Sequence, residues 1–277
     1  MATLVPIQDI LAQLEQEQER RPELAEAIAL HQALLSAQAK VEVSAPSLER
    51  GVEEVKDLLR QGTPLLGAEE LEIDWQTFAW LYERTCHIAA RHQPELAEAF
   101  AGLQALPHDD PQSLKSLVAD YLRNGQLEEA EGLGLPGDLL AFALNNALHP
   151  FLRAYAAHLT PLVDDSLWLY GRCPVCGGQP DFAFLDEQSG TRHLLCSRCD
   201  SQWLYRRLQC PFCDNTDHTK LFYYPSEDGV YRLYVCQVCN RYLKAIDLRK
   251  VDRKVVMPVE RIITVAMDVA AREAGYK

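Results

Sequence analysis

Residues 173–200 read CPVCGGQPDFAFLDEQSGTRHLLCSRCD, in which two Cys-x-x-Cys pairs flank a run with strand character. The same arrangement returns downstream as CPFC at 210–213 and CQVC at 236–239. Eight of the nine cysteines of the chain belong to these four pairs. Two pairs that face each other supply the four thiolates of a tetrahedral zinc or iron site. Four pairs therefore predict two metal sites.

The spacing between the pairs predicts which cysteines share a site. Nineteen residues separate Cys176 from Cys196, and 22 separate Cys213 from Cys236, so each gap is long enough for one β-hairpin. CPVC aligns with CPFC at an offset of 37 residues, which indicates one module repeated in tandem. A site built from the second and third pairs is sterically possible but breaks this repeat. The predicted ligands are Cys173, Cys176, Cys196 and Cys199 for the first site, and Cys210, Cys213, Cys236 and Cys239 for the second.

The residue that follows each pair supports this interpretation. A metal-binding knuckle turns through positive φ near this point, which directs backbone N–H groups at the sulfur atoms. Glycine, asparagine and aspartate tolerate this conformation better than other residues. The four positions are Gly177, Asp200, Asp214 and Asn240. All four are therefore predicted to adopt positive φ.

Other roles for the cysteines are less consistent with the sequence. A chain of 277 residues that is 48% hydrophobic can bury a core without disulfide staples, and the reducing cytosol disfavours them. Thioredoxin-like redox chemistry would require a βαβ context, which the sequence lacks. The ninth cysteine, Cys86, falls on the apolar stripe of a predicted helix and is interpreted as a buried structural thiol. His193 and His218 lie inside the modules, but each site already has four sulfur ligands.

Outside the two modules, the chain is predicted to be mostly helical. Together with the strands of the modules, this predicts the α+β class. We predict an all-helical domain at 1–166, a first rubredoxin-like or zinc-ribbon module at 167–207, a second at 208–254, and a closing helix at 255–277 that packs on the body. The turns Ser189-Gly190 and Asp228-Gly229 predict the two hairpins. These hairpins lie inside the two modules.

Several helix ends are predicted from capping residues. One helix should run from Ser47 to Gly62, another should start at Asp74, and a third should start at Asp110. The closing segment should form one amphipathic helix that ends at Gly275. Its predicted apolar side consists of Val259, Ile262, Ile263, Ala266 and Val269.

Charge and composition exclude several function classes. The net charge of −13 argues against sequence-independent nucleic-acid binding. Residues 171–254 have a balance of +3, but eight thiolates and two divalent ions bring this to about −1, so the arginines near the cysteines mainly compensate the sites. No run approaches a membrane span. No P-loop, dinucleotide-binding or hydrolase motif is present. We therefore expect a cytoplasmic protein that is not an enzyme and does not insert into membranes.

The motifs GRCPVCGGQP, LLCSRCDSQWLYRRLQCPFC and YVCQVCNRYLKAIDL, with the closing EAGY, resemble the formate dehydrogenase accessory (formation) protein family, FdhE. The specific resemblance covers about 110 residues. It implies a cytoplasmic maturation factor that binds the catalytic subunit of formate dehydrogenase. It also implies rubredoxin-like sites on the same eight cysteines, with iron as the favoured metal. The thiolates themselves suit zinc equally well.

Two other functions remain open at this point. A rubredoxin-like electron carrier would need redox-active iron, and a zinc-ribbon protein that binds nucleic acid would show an affinity that falls steeply with salt. The main prediction is a non-enzymatic factor that holds the immature dehydrogenase through two metal-stabilised modules.

Overall fold

The structure, a computed structural model, describes residues 4–106, 111–125, 127 and 136–277. The described residues divide into two compact units. The sheet unit consists mainly of Leu48–Leu65 and Ala156–Lys277, and the helical unit of Pro6–Ser47 and Leu66–Tyr155. The helices are α1 (Ile7–Arg20), α2 (Ala25–Gln38), α3 (Val52–Gln61), α4 (Trp75–His92), α5 (Ala97–Gln104), α6 (Pro111–Asn124), α7 (Gly137–Leu159), α8 (Met257–Ile263) and α9 (Val265–Glu273).

Capping chemistry accounts for most of the helix ends. Asp74 caps α4 as predicted, because its carboxylate accepts a hydrogen bond from the Gln76 N–H at 3.1 Å. The predicted start of α3 at Ser47 is wrong, since the helix begins only at Val52, after Gly51 in extended backbone. Its predicted stop is confirmed by Gly62, with φ of 72°. The predicted cap at Asp110 lies outside the described residues.

The sheet unit is built on six strands in the order β3-β2-β1-β6-β5-β4. Both predicted hairpins are confirmed, as β1/β2 and β4/β5, and each is extended by a third antiparallel strand that follows the second knuckle. The sequence prediction did not identify these third strands. The strands are β1 (Pro180–Leu185), β2 (Arg192–Cys196), β3 (Gln202–Tyr205), β4 (Leu221–Pro225), β5 (Tyr231–Cys236) and β6 (Arg241–Asp247).

The two cysteine modules share one sheet through a single parallel pairing. Strand β1 pairs with β6 in parallel, from Phe182 opposite Lys244 to Leu185 opposite Asp247. The buried residues Phe182, Phe184, Leu195, Tyr231, Ile246 and Met257, which come from both modules and from α8, form one hydrophobic cluster. The modules are therefore two halves of one packed body.

The closing segment differs from the predicted single helix. It is interrupted at Thr264, where φ is −101° and ψ is 19°. The Thr264 hydroxyl donates to the Glu260 carbonyl at 2.7 Å, a local bond that competes with continued helix. Because of this break, Val259 in α8 is buried, whereas Val269 in α9 is exposed. In α9 it is Ala271 that packs, against Leu233 and Val235 of β5.

The predicted α+β class, with a helical N-terminal region followed by two four-cysteine modules, is confirmed. The boundaries of the predicted four-part division, at 166, 207 and 254, stay a prediction. Within the described ranges, no helix has both the length and the apolar character needed to cross a bilayer.

Candidate metal centres

The first cluster brings together the four cysteines of the first module. The Cys176 sulfur lies 3.5 Å from the Cys196 sulfur and 3.4 Å from the Cys199 sulfur. The sulfurs of Cys173 and Cys199 are 3.7 Å apart. These are the four residues that are predicted to share one site from the tandem repeat in the sequence.

The second cluster brings together Cys210, Cys213, Cys236 and Cys239. The sulfurs of Cys210 and Cys239 are 3.7 Å apart, and the sulfurs of Cys213 and Cys236 are also 3.7 Å apart. The alternative grouping of the second and third pairs is therefore not the one that the fold adopts. Strands β2 and β5 each carry one pair to its partner, since each ends in the first cysteine of a knuckle.

The distances between the sulfurs fit a bound metal and do not fit disulfides. A disulfide bond joins two sulfurs at about 2.05 Å. Four thiolates arranged tetrahedrally at about 2.3 Å from one ion are about 3.8 Å from one another. The observed separations of 3.4–3.7 Å are close to the second value. Each cluster could therefore hold one metal ion, either iron or zinc.

The four knuckles have the backbone that their sequences predict. The φ angles are 72° at Gly177, 59° at Asp200, 57° at Asp214 and 53° at Asn240. Among the described residues other than glycine, these last three have positive φ. In three of the knuckles this residue donates its N–H to the carbonyl of the first cysteine, and the N–H of Gly177, for example, lies 3.0 Å from the Cys173 oxygen.

Backbone N–H groups also point at the sulfur atoms. The N–H groups of Val175 and Arg198 donate to the sulfurs of Cys173 and Cys196, each at 3.4 Å. In the second cluster, N–H groups of Phe212 and Cys213 act on the Cys210 sulfur and lower its pKa, although burial raises this pKa more strongly. Such donors stabilise thiolate charge and orient the ligands.

Burial opposes negative charge on the thiols of the first cluster unless a cation accompanies that charge. The Cys173 side chain is fully buried, and this burial raises the pKa of its thiol well above the ordinary value. Four thiolates packed together in such a site would repel one another and lack hydration. A bound divalent ion removes both penalties because it supplies the positive charge at their centre.

Two arginines supply further positive charge. Arg261, in α8, donates from Nη1 to the Asp200 carboxylate at 2.9 Å and from Nη2 to the Cys196 carbonyl at 2.7 Å, beside the first cluster. Arg241 lies beside the second cluster, with its guanidinium carbon 4.0 Å from the centroid of the Phe212 ring. Arg241 is one of the arginines near the cysteines that are predicted from the sequence to compensate the sites, whereas no such role is predicted for Arg261. Arg261 lies 62 positions after Cys199, and no local pattern links the two.

The other residues weighed as ligands lie outside the clusters. Among the described residues, the groups of histidine, cysteine or acidic side chains that could hold a metal contain these eight cysteines alone. The Cys86 thiol is buried within α4, and this burial raises its pKa to about 12. The His193 ring packs against Phe184, with the ring centroids 4.9 Å apart.

Similarity to known proteins ranges from a short match to a family model to matches over most of the chain. The family model described as "FdhE, central domain" matches residues 172–207. The "Protein FdhE homolog" of Aquifex aeolicus (strain VF5) is 31% identical over 240 residues, which cover 85% of this chain and 79% of the relative. The "Protein FdhE homolog" of Pseudomonas aeruginosa is 30% identical over 112 residues, which cover 38% of this chain and 36% of the relative.

The fold is also similar to a solved structure, "The crystal structure of the FdhE protein from Pseudomonas aeruginosa", with a TM-score of 0.56. That similarity covers 97% of this chain and 90% of the other at 23% identity, so it bears on the fold alone. The match to the Aquifex relative extends over most of this chain. On this extent of sequence similarity, the chain belongs to the FdhE family.

Proposed function

We propose that this protein is a cytoplasmic, non-enzymatic accessory factor for the maturation of formate dehydrogenase. Membership of the FdhE family is the observation that carries this proposal, and the two four-cysteine clusters give it a physical basis. The partner is proposed to be the immature catalytic subunit of the dehydrogenase. The role of the protein is to bind this subunit, and no chemical step on a substrate is assigned to it.

Each cluster is proposed to bind one metal ion through its four thiolates. The family resemblance favours iron, and zinc would satisfy the same tetrahedral sulfur set. Metal binding in small zinc-stabilised peptides contributes on the order of 10 kcal/mol, most of it as folding free energy. The ions would therefore hold the knuckles at the two ends of the hairpins and fix the shape of the sheet unit.

The exposed aromatic residues of the edge strand β4 are the proposed contact surface for the dehydrogenase subunit. Phe222, Tyr223 and Tyr224 are 42%, 50% and 55% exposed, although most large apolar side chains of the described chain are buried. Strand β4 also lies at the end of the sheet order, so one of its edges pairs with no other strand of the described sheet. Contiguous exposed apolar residues beside an unpaired edge are typical of protein-binding surfaces.

The experiment that tests this proposal replaces one pair of ligands in the full-length protein. The double variant Cys173→Ser/Cys176→Ser should lose one of two metal ions, as measured by elemental analysis. It should also fail to retain the catalytic subunit in a pull-down and fail to restore formate dehydrogenase activity in cells that lack the native protein. Cys86→Ser is the matched control, because it removes a buried cysteine that belongs to neither cluster. Intact metal content and activation in the double variant would contradict the proposal.

A second candidate function is electron transfer. It is favoured by one observation: Cys213 of the second cluster is exposed, which would give a redox partner a short path to a bound iron. Purified iron-loaded protein should then show a visible spectrum that bleaches on addition of dithionite. Protein that is purified from its native cells loaded with zinc, and is therefore colourless, would exclude this function.

A further inference from the structure

The two clusters differ sharply in their access to solvent. All four cysteines of the first cluster are buried, and the most exposed of them, Cys176, is only 7% exposed. In the second cluster, Cys210 and Cys236 are buried, but Cys213 is exposed and Cys239 is half-buried. The repeat that builds the two modules does not by itself explain this difference.

The first cluster is closed by segments that come from outside its own module. The N–H of Leu65, after α3, donates to the Pro174 carbonyl in the first knuckle at 2.8 Å. The neighbouring Pro64 also covers this knuckle, since a Cβ placed on Gly177 would lie 3.2 Å from the Pro64 ring. On the other side, Arg261 of α8 binds the second knuckle at Asp200. Both knuckles are therefore covered.

The second cluster is also contacted from outside its module, since the Tyr205 hydroxyl donates to the Asp214 carboxylate at 2.9 Å and the Lys277 N–H donates to the Asn240 carbonyl at 2.7 Å. These contacts nevertheless leave Cys213 exposed. The exposed residues of its two knuckles are Cys213, Asp214, Gln237, Val238 and Asn240. The apolar side chain of Val238, for example, is 58% exposed. At the mouth of this cluster, Arg241 stacks on Phe212, the residue that precedes Cys213. A cation in this position attracts an approaching anionic ligand.

We propose that the two centres have different chemical roles: the first is a closed structural centre, and the second is an exchange centre that opens at Cys213. This inference rests on the metal binding proposed above and extends it. At the exchange centre, an incoming thiol on a protein or a small molecule displaces Cys213 from the metal. Cys210, Cys236 and Cys239 retain the ion during this step.

The exchange is a ligand substitution without change of oxidation state. A bond forms between the metal and the incoming sulfur while the bond between the metal and the Cys213 sulfur breaks. The incoming thiol loses its proton, and the released Cys213 thiolate takes up a proton. The same step at the first cluster would need prior local unfolding, because the incoming group cannot reach a fully buried sulfur.

Metal release from the full-length, zinc-loaded Cys86→Ser protein tests this inference. Elemental analysis first establishes two ions per chain. The protein is then mixed with excess 4-(2-pyridylazo)resorcinol, which reports each released zinc ion by its absorbance. We expect two phases of equal amplitude, with one ion released at least about tenfold faster than the other, as for exposed against locally protected sites.

Alkylation identifies which cluster releases its zinc ion in each phase. Iodoacetamide is added during the fast phase, and the modified peptides are identified by mass spectrometry. Cys213 and Cys239 should be labelled first, while the four cysteines of the first cluster stay unmodified until the slow phase. Because Cys86→Ser removes the ninth thiol, each label then reports a cysteine of one of the two clusters. This measurement requires no variant of a cluster ligand.

Two further variants test the cause of the difference in access. Arg261→Ala should accelerate the slow phase, and Arg241→Gln should slow release from the second cluster to an anionic chelator. A single release phase, or earlier labelling of the first cluster, would overturn the proposed division of roles. A protein without metal would instead overturn the metal binding on which both proposals rest, so the two failures can be distinguished.

Discussion

Arg261 and Asp200 form an ion pair that connects the closing helix α8 to a knuckle of the first cluster. The guanidinium Nη1 lies 2.9 Å from the Asp200 carboxylate, and both side chains are largely buried. Asp200 has positive φ and directly follows Cys199, one of the predicted ligands. The second nitrogen, Nη2, donates to the Cys196 carbonyl. A residue distant in sequence therefore holds both ends of this knuckle.

Replacing Arg261 by alanine should destabilise the knuckle, because it removes the charge that is paired with a buried carboxylate. Loss of one partner of a buried ion pair typically costs about 3–5 kcal/mol. Hydrogen–deuterium exchange of peptides that cover 192–205 should report this loss as faster exchange. Arg91→Ala, at an exposed site in α4, is the control and should leave these peptides unchanged. Equal protection in the two variants would show that the ion pair does not stabilise the knuckle.

Asp247, at the end of β6, predicts a specific dependence of stability on pH. Its buried carboxylate accepts hydrogen bonds from Arg249, at 2.7 Å from both Nε and Nη2, and from Arg232 Nη2 at 2.6 Å. The bonds from Arg249 lower the pKa of Asp247 despite its burial, and the charge of Arg232 lowers the pKa further. The unfolded value is about 3.9. The stabilisation is therefore complete above this pH and is lost as pH falls through the lower, folded pKa.

The variant Asp247→Asn measures this contribution. At neutral pH its free energy of unfolding should be lower by about 2 kcal/mol, as is typical for hydrogen bonds to a charged group. The difference in urea midpoint between the native protein and the variant should be constant from about pH 7 to pH 5 and should shrink below about pH 4. Metal loss in acid affects both proteins, so their difference isolates Asp247. The exposed Asp252→Asn is the control. A difference in urea midpoint that grows as the pH falls would contradict the lowered pKa of Asp247.

Gly171 marks a close approach between the two modules. A Cβ on this residue would overlap the backbone of Pro211, in the first knuckle of the second cluster. Gly171→Ala should therefore shift that knuckle and lower stability by about 1–3 kcal/mol, as overpacking does. The measurements are the thermal midpoint and the rate of metal release from the second cluster. The thermal midpoint should fall, and metal release should become faster.

The control for this variant is Gly102→Ala, in α5, where an added Cβ meets no atom within 4 Å. Removing a helical glycine should stabilise the protein by about 0.5–1 kcal/mol. The two glycine variants should thus have opposite signs. If Gly171→Ala were neutral or stabilising, the close contact with Pro211 would not exist in solution.

The double variant Phe222→Ser/Tyr224→Ser tests the proposed partner surface. It should weaken retention of the formate dehydrogenase catalytic subunit by about tenfold or more, because aromatic residues often dominate the binding energy of an interface. Metal content and thermal midpoint should be preserved, since both side chains are exposed. Trp80→Ser removes an exposed aromatic residue of the helical unit and is the matched control. Unchanged retention in the double variant would place the partner surface elsewhere.

The local features of the two cysteine clusters were predictable because short segments of chain determine them. The Cys-x-x-Cys spacing, the residue after each pair and the hairpin turns all act within a few residues, and the structure has the predicted φ angles, both hairpins and the expected groups of four sulfurs. The start of α3 and the break at Thr264 were missed. At both positions helical periodicity continues in the sequence, while an extended Gly51 and a threonine hydroxyl interrupt the helix.

Local sequence is enough to predict that eight cysteines form two sets of four, because the spacing within each knuckle and the length of each hairpin bring them together. Long-range packing creates the parallel pairing of β1 with β6, the contact of Arg261 with Asp200, and the cover over the first cluster. These features join residues that are far apart in the chain. Two similar motifs therefore differ in their access to solvent, because α8 and the segment after α3 cover the first cluster, whereas Cys213 of the second cluster stays exposed.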